Sequence, residues 1–225
     1  MIPNWSGCGT ALVTPFAASG AVDEEQVRRL AARQIDGGVN FLVPCGTTGE
    51  SPTLSGEEQR RVVELVVETA AGRVPVLAGA GGYDTHAVIQ LASEMQSAGA
   101  DGILSVTPYY NKPTAEGLYR HYQEIAENVP LPIVIYNVPG RTGCNVDVDT
   151  VQRLAELPNI VGIKEASADM AQMCEICRAS PSDFNVLSGD DAFTLPLMAV
   201  GGKGVISVAA NQAPTEMAQM VEAAE

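Results

Sequence analysis

Three lysines occur in the whole chain, Lys112, Lys164 and Lys203, and one of them sits where an amine becomes reactive. Lys164 closes the apolar run Ile160-Val-Gly-Ile-Lys164, which reads as a buried strand. An amine at the end of such a strand has little water around it. Desolvation disfavours the ammonium, lowers its pKa and leaves a nucleophile able to form an imine with a carbonyl compound. The competing reading is a buried ion pair, with Glu165 as the adjacent acid. Neighbours along a strand point to opposite faces, which weakens that alternative. Lys112 lies in the polar loop Asn111-Lys-Pro113, where a solvated ammonium stays a poor nucleophile. Lys203, in Gly201-Gly-Lys-Gly204, precedes a strand and falls on the other face of the fold.

Other residue types fit the same chemistry. Gly46-Thr-Thr-Gly49 places Thr47 and Thr48 between small residues, where backbone N–H groups and two hydroxyls can converge on a carboxylate. An ordinary turn is the alternative. Tyr136 ends a strand beside that of Lys164, so its phenol could shuttle a proton during imine chemistry, or it could be a core tyrosine with one satisfied hydroxyl. Arg141, in Pro139-Gly-Arg-Thr142, carries a planar fork suited to a second carboxylate, against the simpler reading of a surface loop arginine. Tyr109 and Tyr110 are placed at the end of the fourth strand, as packing or as a wall of the site.

The elements that must position these residues alternate. Eight β-rich runs are expected at Ala11–Thr14, Phe41–Pro44, Val74–Ala78, Gly102–Val106, Ile133–Asn137, Ile160–Lys164, Asn185–Ser188 and Val205–Val208. Each is unbroken and Val-, Ile- or Leu-rich, as parallel strands buried on both faces are. Between them lie helical patterns: Val27, Leu30, Ala31 and Ile35 mark one buried face, and Val88, Leu91, Ala92 and Met95 another. Ser55-Gly-Glu-Glu58 forms a capping box ahead of Val62, Leu65, Val66 and Ala70. Leu118, Tyr122 and Ile125 follow the same rule, with weaker patterns over Val148–Leu157, Met170–Cys177, Ala192–Val200 and Pro214–Ala223. Eight strand–helix alternations indicate an α/β (β/α)8 TIM barrel, whose active site lies at the C-terminal strand ends. A doubly wound sheet would show a glycine-rich phosphate turn after its first strand; Pro15-Phe-Ala-Ala-Ser-Gly20 stands there instead. No linker divides the chain, so residues 1–225 are expected to form a single barrel domain that ends with the eighth helix.

Composition excludes several classes. At 225 residues, 46% apolar and 18% charged, the chain is globular rather than disordered. A formal net charge of −14 argues against nucleic-acid binding, which requires a basic face. No membrane-length apolar run and no signal-peptide pattern are present, and a cytoplasmic location is expected. The five cysteines are odd in number and scattered, consistent with reduced thiols. Cys174-Glu-Ile-Cys177 is a lone CxxC with no second pair and only His86 and His121 as imidazoles, so no metal site is expected.

Six segments in order are Gly46-Thr-Thr-Gly-Glu50, Thr107-Pro-Tyr-Tyr-Asn111, Tyr136-Asn-Val-Pro-Gly-Arg-Thr142, Gly162-Ile-Lys-Glu-Ala166, Leu187-Ser-Gly-Asp-Asp191 and Gly204-Val-Ile-Ser-Val208. Together they resemble the dihydrodipicolinate synthase family, within the pyruvate-dependent class I aldolases, over nearly the whole chain. The resemblance implies condensation of pyruvate with L-aspartate 4-semialdehyde in lysine biosynthesis, through a Schiff base on Lys164 and with no cofactor. It implies that Thr47 and Thr48 hold the pyruvate carboxylate, with Thr48 also relaying protons. Tyr136 would be the central acid/base, joined to Thr48 and to Tyr110 from a neighbouring subunit of a dimer or tetramer. Arg141 would bind the carboxylate of the second substrate, and Gly189 and the Ile206 backbone would line the pocket.

Sialic-acid lyases and keto-deoxy sugar acid aldolases share the lysine and tyrosine but generally lack the Pro-x-Arg-Thr arrangement, so they stand second. A barrel that binds a keto acid with little turnover is the alternative of another class. Family members are usually longer, with a C-terminal helical region, and its absence here is expected to bare apolar surface and affect the oligomer. Where lysine-inhibited members carry polar and acidic side chains, this chain has Tyr83 and Ala87, with Gly56 and Gln59 in place of histidines, so weak or absent lysine inhibition is expected.

Overall fold

The computed structural model describes residues 3–225. Eight strands alternate with helices: β1 Gly7–Ala11, β2 Phe41–Val43, β3 Leu77–Gly79, β4 Gly102–Val106, β5 Ile133–Asn137, β6 Ile160–Glu165, β7 Asn185–Ser188 and β8 Gly204–Ser207. The main outer helices are α1 Glu24–Asp36, α2 Gly56–Ala70, α3 Thr85–Ser97 and α4 Ala115–Asn128, then α6 Val148–Ala155, α7 Met170–Ala179, α8 Thr194–Ala199 and α9 Pro214–Glu222; a short α5, Pro139–Thr142, follows β5. All strand pairs are parallel, in the order β2-β1-β8-β7-β6-β5-β4-β3. A Leu42–Val76 bridge and the Gly79 N–H bonded to the Pro44 carbonyl at 2.9 Å join β2 to β3 and close the ring. This is the (β/α)8 TIM barrel that the alternation predicts.

Strand alternation divides the core in two. Outward residues such as Ile103, Ile133, Ile135 and Ile163 pack against the helices, while Phe41, Val43, Leu77, Leu104, Val134, Leu187 and Ile206 fill the interior with Trp5. Trp5 meets Phe41 edge to face with ring centroids 5.7 Å apart. Helix ends follow their sequence signals: Ser55 and Glu58 form the capping box of α2, and the Asp84 carboxylate caps α3. The stripe of α1 differs from its apolar pattern. Gln34 is fully buried, its Oε1 accepting the Thr10 hydroxyl at 2.9 Å, while Leu30 is only half-buried and Ile35, also half-buried, still packs against the core.

The first strand is displaced from its expected position, lying at Gly7–Ala11 instead of Ala11–Thr14. Gly7-Cys-Gly-Thr-Ala11 is a poor strand by local preference. Packing overrides it, since a Cβ on Gly9 would stand 2.1 Å from the Phe41 ring. The third strand begins at Leu77, later than expected, after Pro75. The fourth ends at Val106, so Tyr109 and Tyr110 lie in the following loop and not at the strand end. The sixth extends one residue past Lys164 to Glu165.

Candidate active site

Lys164 and Tyr136 are register partners on β6 and β5, so their side chains enter the barrel mouth side by side. Lys164 is 4% exposed, and its Nζ lies over the face of the Tyr136 ring, 4.2 Å from the centroid. An aromatic face attracts a cation, so it steadies the ammonium without donating a hydrogen bond to it. Burial nevertheless dominates and lowers the lysine pKa to about 8. The Asp191 carboxylate pulls it upward and the Arg141 guanidinium pushes it down further. Tyr136 is raised by burial, with Arg141 opposing, which keeps the phenol protonated at neutral pH and fit to act as an acid.

Glu165, the ion-pair alternative for Lys164, faces the other way. Its carboxylate accepts from Asn137 Nδ2 at 2.9 Å and from the Ser167 backbone N–H at 2.6 Å, on the helix side of the wall. The alternation rule holds at this strand, and the lysine is left without that partner.

Around this pair stand the other strand-end residues. Gly189 follows β7, and a Cβ there would come 2.7 Å from the Ala166 Cβ and 3.0 Å from the Lys164 Cε. Only glycine leaves the lysine stem its path. Ile206, fully buried on β8, belongs to the interior cluster that includes Tyr136. Gly46-Thr-Thr-Gly49 winds into a single 3₁₀ turn after β2, with Thr47 exposed and Thr48 half-buried. The turn is anchored by Thr14, whose buried hydroxyl donates to the Gly49 carbonyl at 2.7 Å. A cavity of about 150 Å³ runs along the mouth, with Thr47, Gly46, Gly81, Val106 and Tyr136 in its lining. Arg141 sits exposed on α5 at the same end, near enough to act electrostatically on both Lys164 and Tyr136.

Tyr110 does not join this group within one chain. It is 90% exposed, with φ at 67°, in the left-handed region that a tyrosine rarely adopts. Its neighbour Tyr109 instead stacks edge to face on Tyr83, 5.2 Å between centroids. Lys203 precedes β8 and Lys112 lies in the β4–α4 loop, and both are exposed.

Two positions escaped the sequence reading as functional. Asp191 binds the Val208 and Ala209 N–H groups through Oδ2 at 3.2 and 3.0 Å, while its buried Oδ1 has no hydrogen-bond partner. It is the acid whose charge reaches Lys164. Its place in the Leu187–Asp191 segment was a signal, but its role depends on β7 and β8 lying side by side. Thr14, the anchor of the Thr47–Thr48 turn, ends the first expected strand, but its partner Gly49 lies in the turn after the second and only the fold brings them together.

The profile of the Dihydrodipicolinate synthetase family matches residues 4–225. The chain belongs to this family. It is 53% identical to the 4-hydroxy-tetrahydrodipicolinate synthase of Koribacter versatilis, across 97% of this chain and 73% of that protein. A crystal structure of dihydrodipicolinate synthase from Aquifex aeolicus superposes with a TM-score of 0.95 at 48% identity, covering 98% of this chain and 75% of that one. A structure reported as the first monomeric dihydrodipicolinate synthase variant gives 0.95 at 47% identity, over 96% and 73% of the two chains. As a dihydrodipicolinate synthase family member the protein is a lyase that works through a lysine imine and needs no external cofactor. Among the described residues no group of three or more His, Cys, Asp and Glu is placed to hold a metal ion. Cys174 and Cys177 are free thiols one turn apart on α7, and burial raises Cys177 to about 11. No helix among the described residues is long and apolar enough to cross a membrane.

Proposed function

We propose that this site condenses pyruvate with L-aspartate 4-semialdehyde to 4-hydroxy-tetrahydrodipicolinate, with Lys164 as the nucleophile. The observation that carries this reading is a buried lysine, lowered to about 8, held over a tyrosine ring at the mouth of a barrel. The neutral amine attacks the keto carbon of pyruvate, and loss of water gives an iminium on Lys164. The iminium acidifies the methyl group, whose proton passes to the Tyr136 oxygen after that phenol has protonated the departing water, and an enamine is left. The enamine carbon then bonds to the aldehyde carbon, whose oxygen takes a proton to become the hydroxyl. Attack by the semialdehyde amine on the imine carbon closes the ring and returns the free lysine.

Each remaining residue takes a role that its position allows. Thr47 and Thr48 receive the pyruvate carboxylate. Tyr136 delivers and recovers protons through Thr48. Arg141, a cation exposed at the mouth, takes the carboxylate of the semialdehyde. Gly189 and the Ile206 backbone line the pocket. Tyr110 completes the proton relay of a second copy of the chain in a dimer or tetramer; its 90% exposure leaves it available for that. Tyr83 and Ala87 line a cavity with Gly82, Asp84 and Tyr109; Asp84 is the one charged residue of that lining and its Oδ1 is engaged by the His86 and Ala87 N–H groups, which supports weak or absent inhibition by lysine. Half-inhibition at sub-millimolar lysine would refute that part.

The test is incubation with pyruvate and borohydride, followed by peptide mapping, with Lys164→Ala as control. An adduct on Lys164 and turnover with the semialdehyde are expected. An adduct without turnover would move the reading to a keto-acid-binding barrel. No adduct on folded protein would overturn the assignment of Lys164.

A further inference from the structure

Behind the reactive pair lies a polar network that the chemistry above leaves unused. Asn137 and Glu165 are the next register partners after Tyr136 and Lys164, and both are fully buried on the helix side of the wall. Asn137 Nδ2 donates to Glu165 Oε2 at 2.9 Å and to Asn145 Oδ1 at 2.8 Å, while Asn137 Oδ1 accepts the Val146 N–H at 3.1 Å. Glu165 Oε2 also accepts from Gln172 Nε2 at 3.3 Å, and Oε1 takes the Ser167 N–H at 2.6 Å. Gln172 and Asn145 bond to each other at 2.7 Å.

All the partners of the Glu165 carboxylate are neutral donors. A buried carboxylate without a cation is costly, and an apolar pair would serve stability at least as well. Geometry supplies a reason for keeping it. The β5–β6 ladder shifts register between Ile133 and Val134, so backbone bonding alone is irregular along this pair of strands. At the other end of the ladder the side-chain bond pins the strands directly behind Tyr136 and Lys164.

We propose that the Asn137–Glu165 bond is a positioning element, holding β5 and β6 at the register that keeps the Lys164 amine over Tyr136. Through Val146 and Asn145 it also holds the segment that follows α5, the short helix carrying Arg141. The proposal rests on the assignment of Lys164 and Tyr136 as the reacting pair. Neither Asn137 nor Glu165 touches substrate.

Two isosteric changes test it. Glu165→Gln adds an amide donor where all three neighbours already donate, and Asn137→Asp sets carboxylate against carboxylate. Both keep volume. The double variant reverses the polarity, so that residue 165 donates to residue 137 and Asn145 can turn its amide to match. Each single change is expected to lower kcat about tenfold or more, because small misplacements of reacting groups are that costly. KM for pyruvate should stay within about threefold, since ground-state binding is untouched. The double variant should recover most of the loss. Folded single variants within about twofold of wild-type kcat, or a double variant no better than either single, would overturn the proposal. If the core variants fail to fold, half-buried Gln172→Ala reads the same network: a severalfold loss of kcat at constant KM is expected, and unchanged kcat refutes it. A wild-type protein that forms no pyruvate adduct would refute the site assignment instead. The network then remains testable through the pH midpoint of Lys164 reductive methylation in Gln172→Ala, which changes no charge: loosening the strands lets water reach the amine and should raise the midpoint, and an unchanged midpoint overturns the proposal.

Discussion

Raising the pH past the Lys164 midpoint should switch on imine formation in a way no other lysine of the chain reproduces. Burial brings that amine from the ordinary 10.5 to about 8. One pH unit changes the amine-to-ammonium ratio tenfold, so at pH 7 roughly one Lys164 in ten is neutral, against about one in 3,000 for an ordinary lysine. The advantage in nucleophilic form is about 300-fold. The assay is the initial rate of borohydride-trapped pyruvate adduct from about pH 6 to about pH 10, resolved by peptide. Lys112 and Lys203, both exposed, serve as references inside the same molecule. The Lys164 rate should climb about tenfold per unit below pH 8 and then flatten. Asp191→Asn should move the midpoint down, because its charge supports the ammonium, and Arg141→Met should move it up. A midpoint near the ordinary lysine value, or no preference for Lys164, would refute the argument from desolvation.

Three more outcomes follow from the same geometry. Gly189→Ala should cut kcat about tenfold or more while the protein stays folded, since the new methyl contacts the Lys164 stem; kcat and thermal unfolding measured together check this. Lys164→Met should stabilise the protein at neutral pH by up to about 3 kcal/mol, read from denaturant unfolding. The sign comes from the folded state binding fewer protons than the unfolded one between about 8 and 10.5, so wild-type stability rises with pH through that window and the variant's should not. His121 is buried and lowered from 6.5 to about 4, by desolvation against the opposing charge of Asp84. Its unfolded form takes up a proton first, so stability is lost as pH falls through that interval, and His121→Gln should flatten the slope by up to about 3 kcal/mol.

Much of this protein is legible in its amino-acid sequence. The apolar run ending in Lys164, the small residues around Thr47 and Thr48, and the strand–helix alternation needed only local chemistry and period to read. Buried parallel strands are long apolar segments, and a charged residue at the end of one stands out against them. The exact partners did not follow from that pattern. The first strand lies earlier than its local pattern indicates because Gly9 admits the Phe41 ring and Gly7 the Asn40 side chain, contacts between residues far apart in the chain. Thr14 and Gln34 became structural through hydrogen bonds across the wall, to Gly49 and Thr10.

Composition and period by themselves pointed to the barrel, to its C-terminal strand ends and to a desolvated lysine at one of them. Tertiary structure alone decided what surrounds that lysine: the Tyr136 face beneath it, the Asp191 charge from the neighbouring loop, and the Asn137–Glu165 bond behind it. The physical reason is that desolvation follows from a run of apolar neighbours in sequence, whereas charge and hydrogen-bond partners come from other strands, whose register only the closed sheet sets.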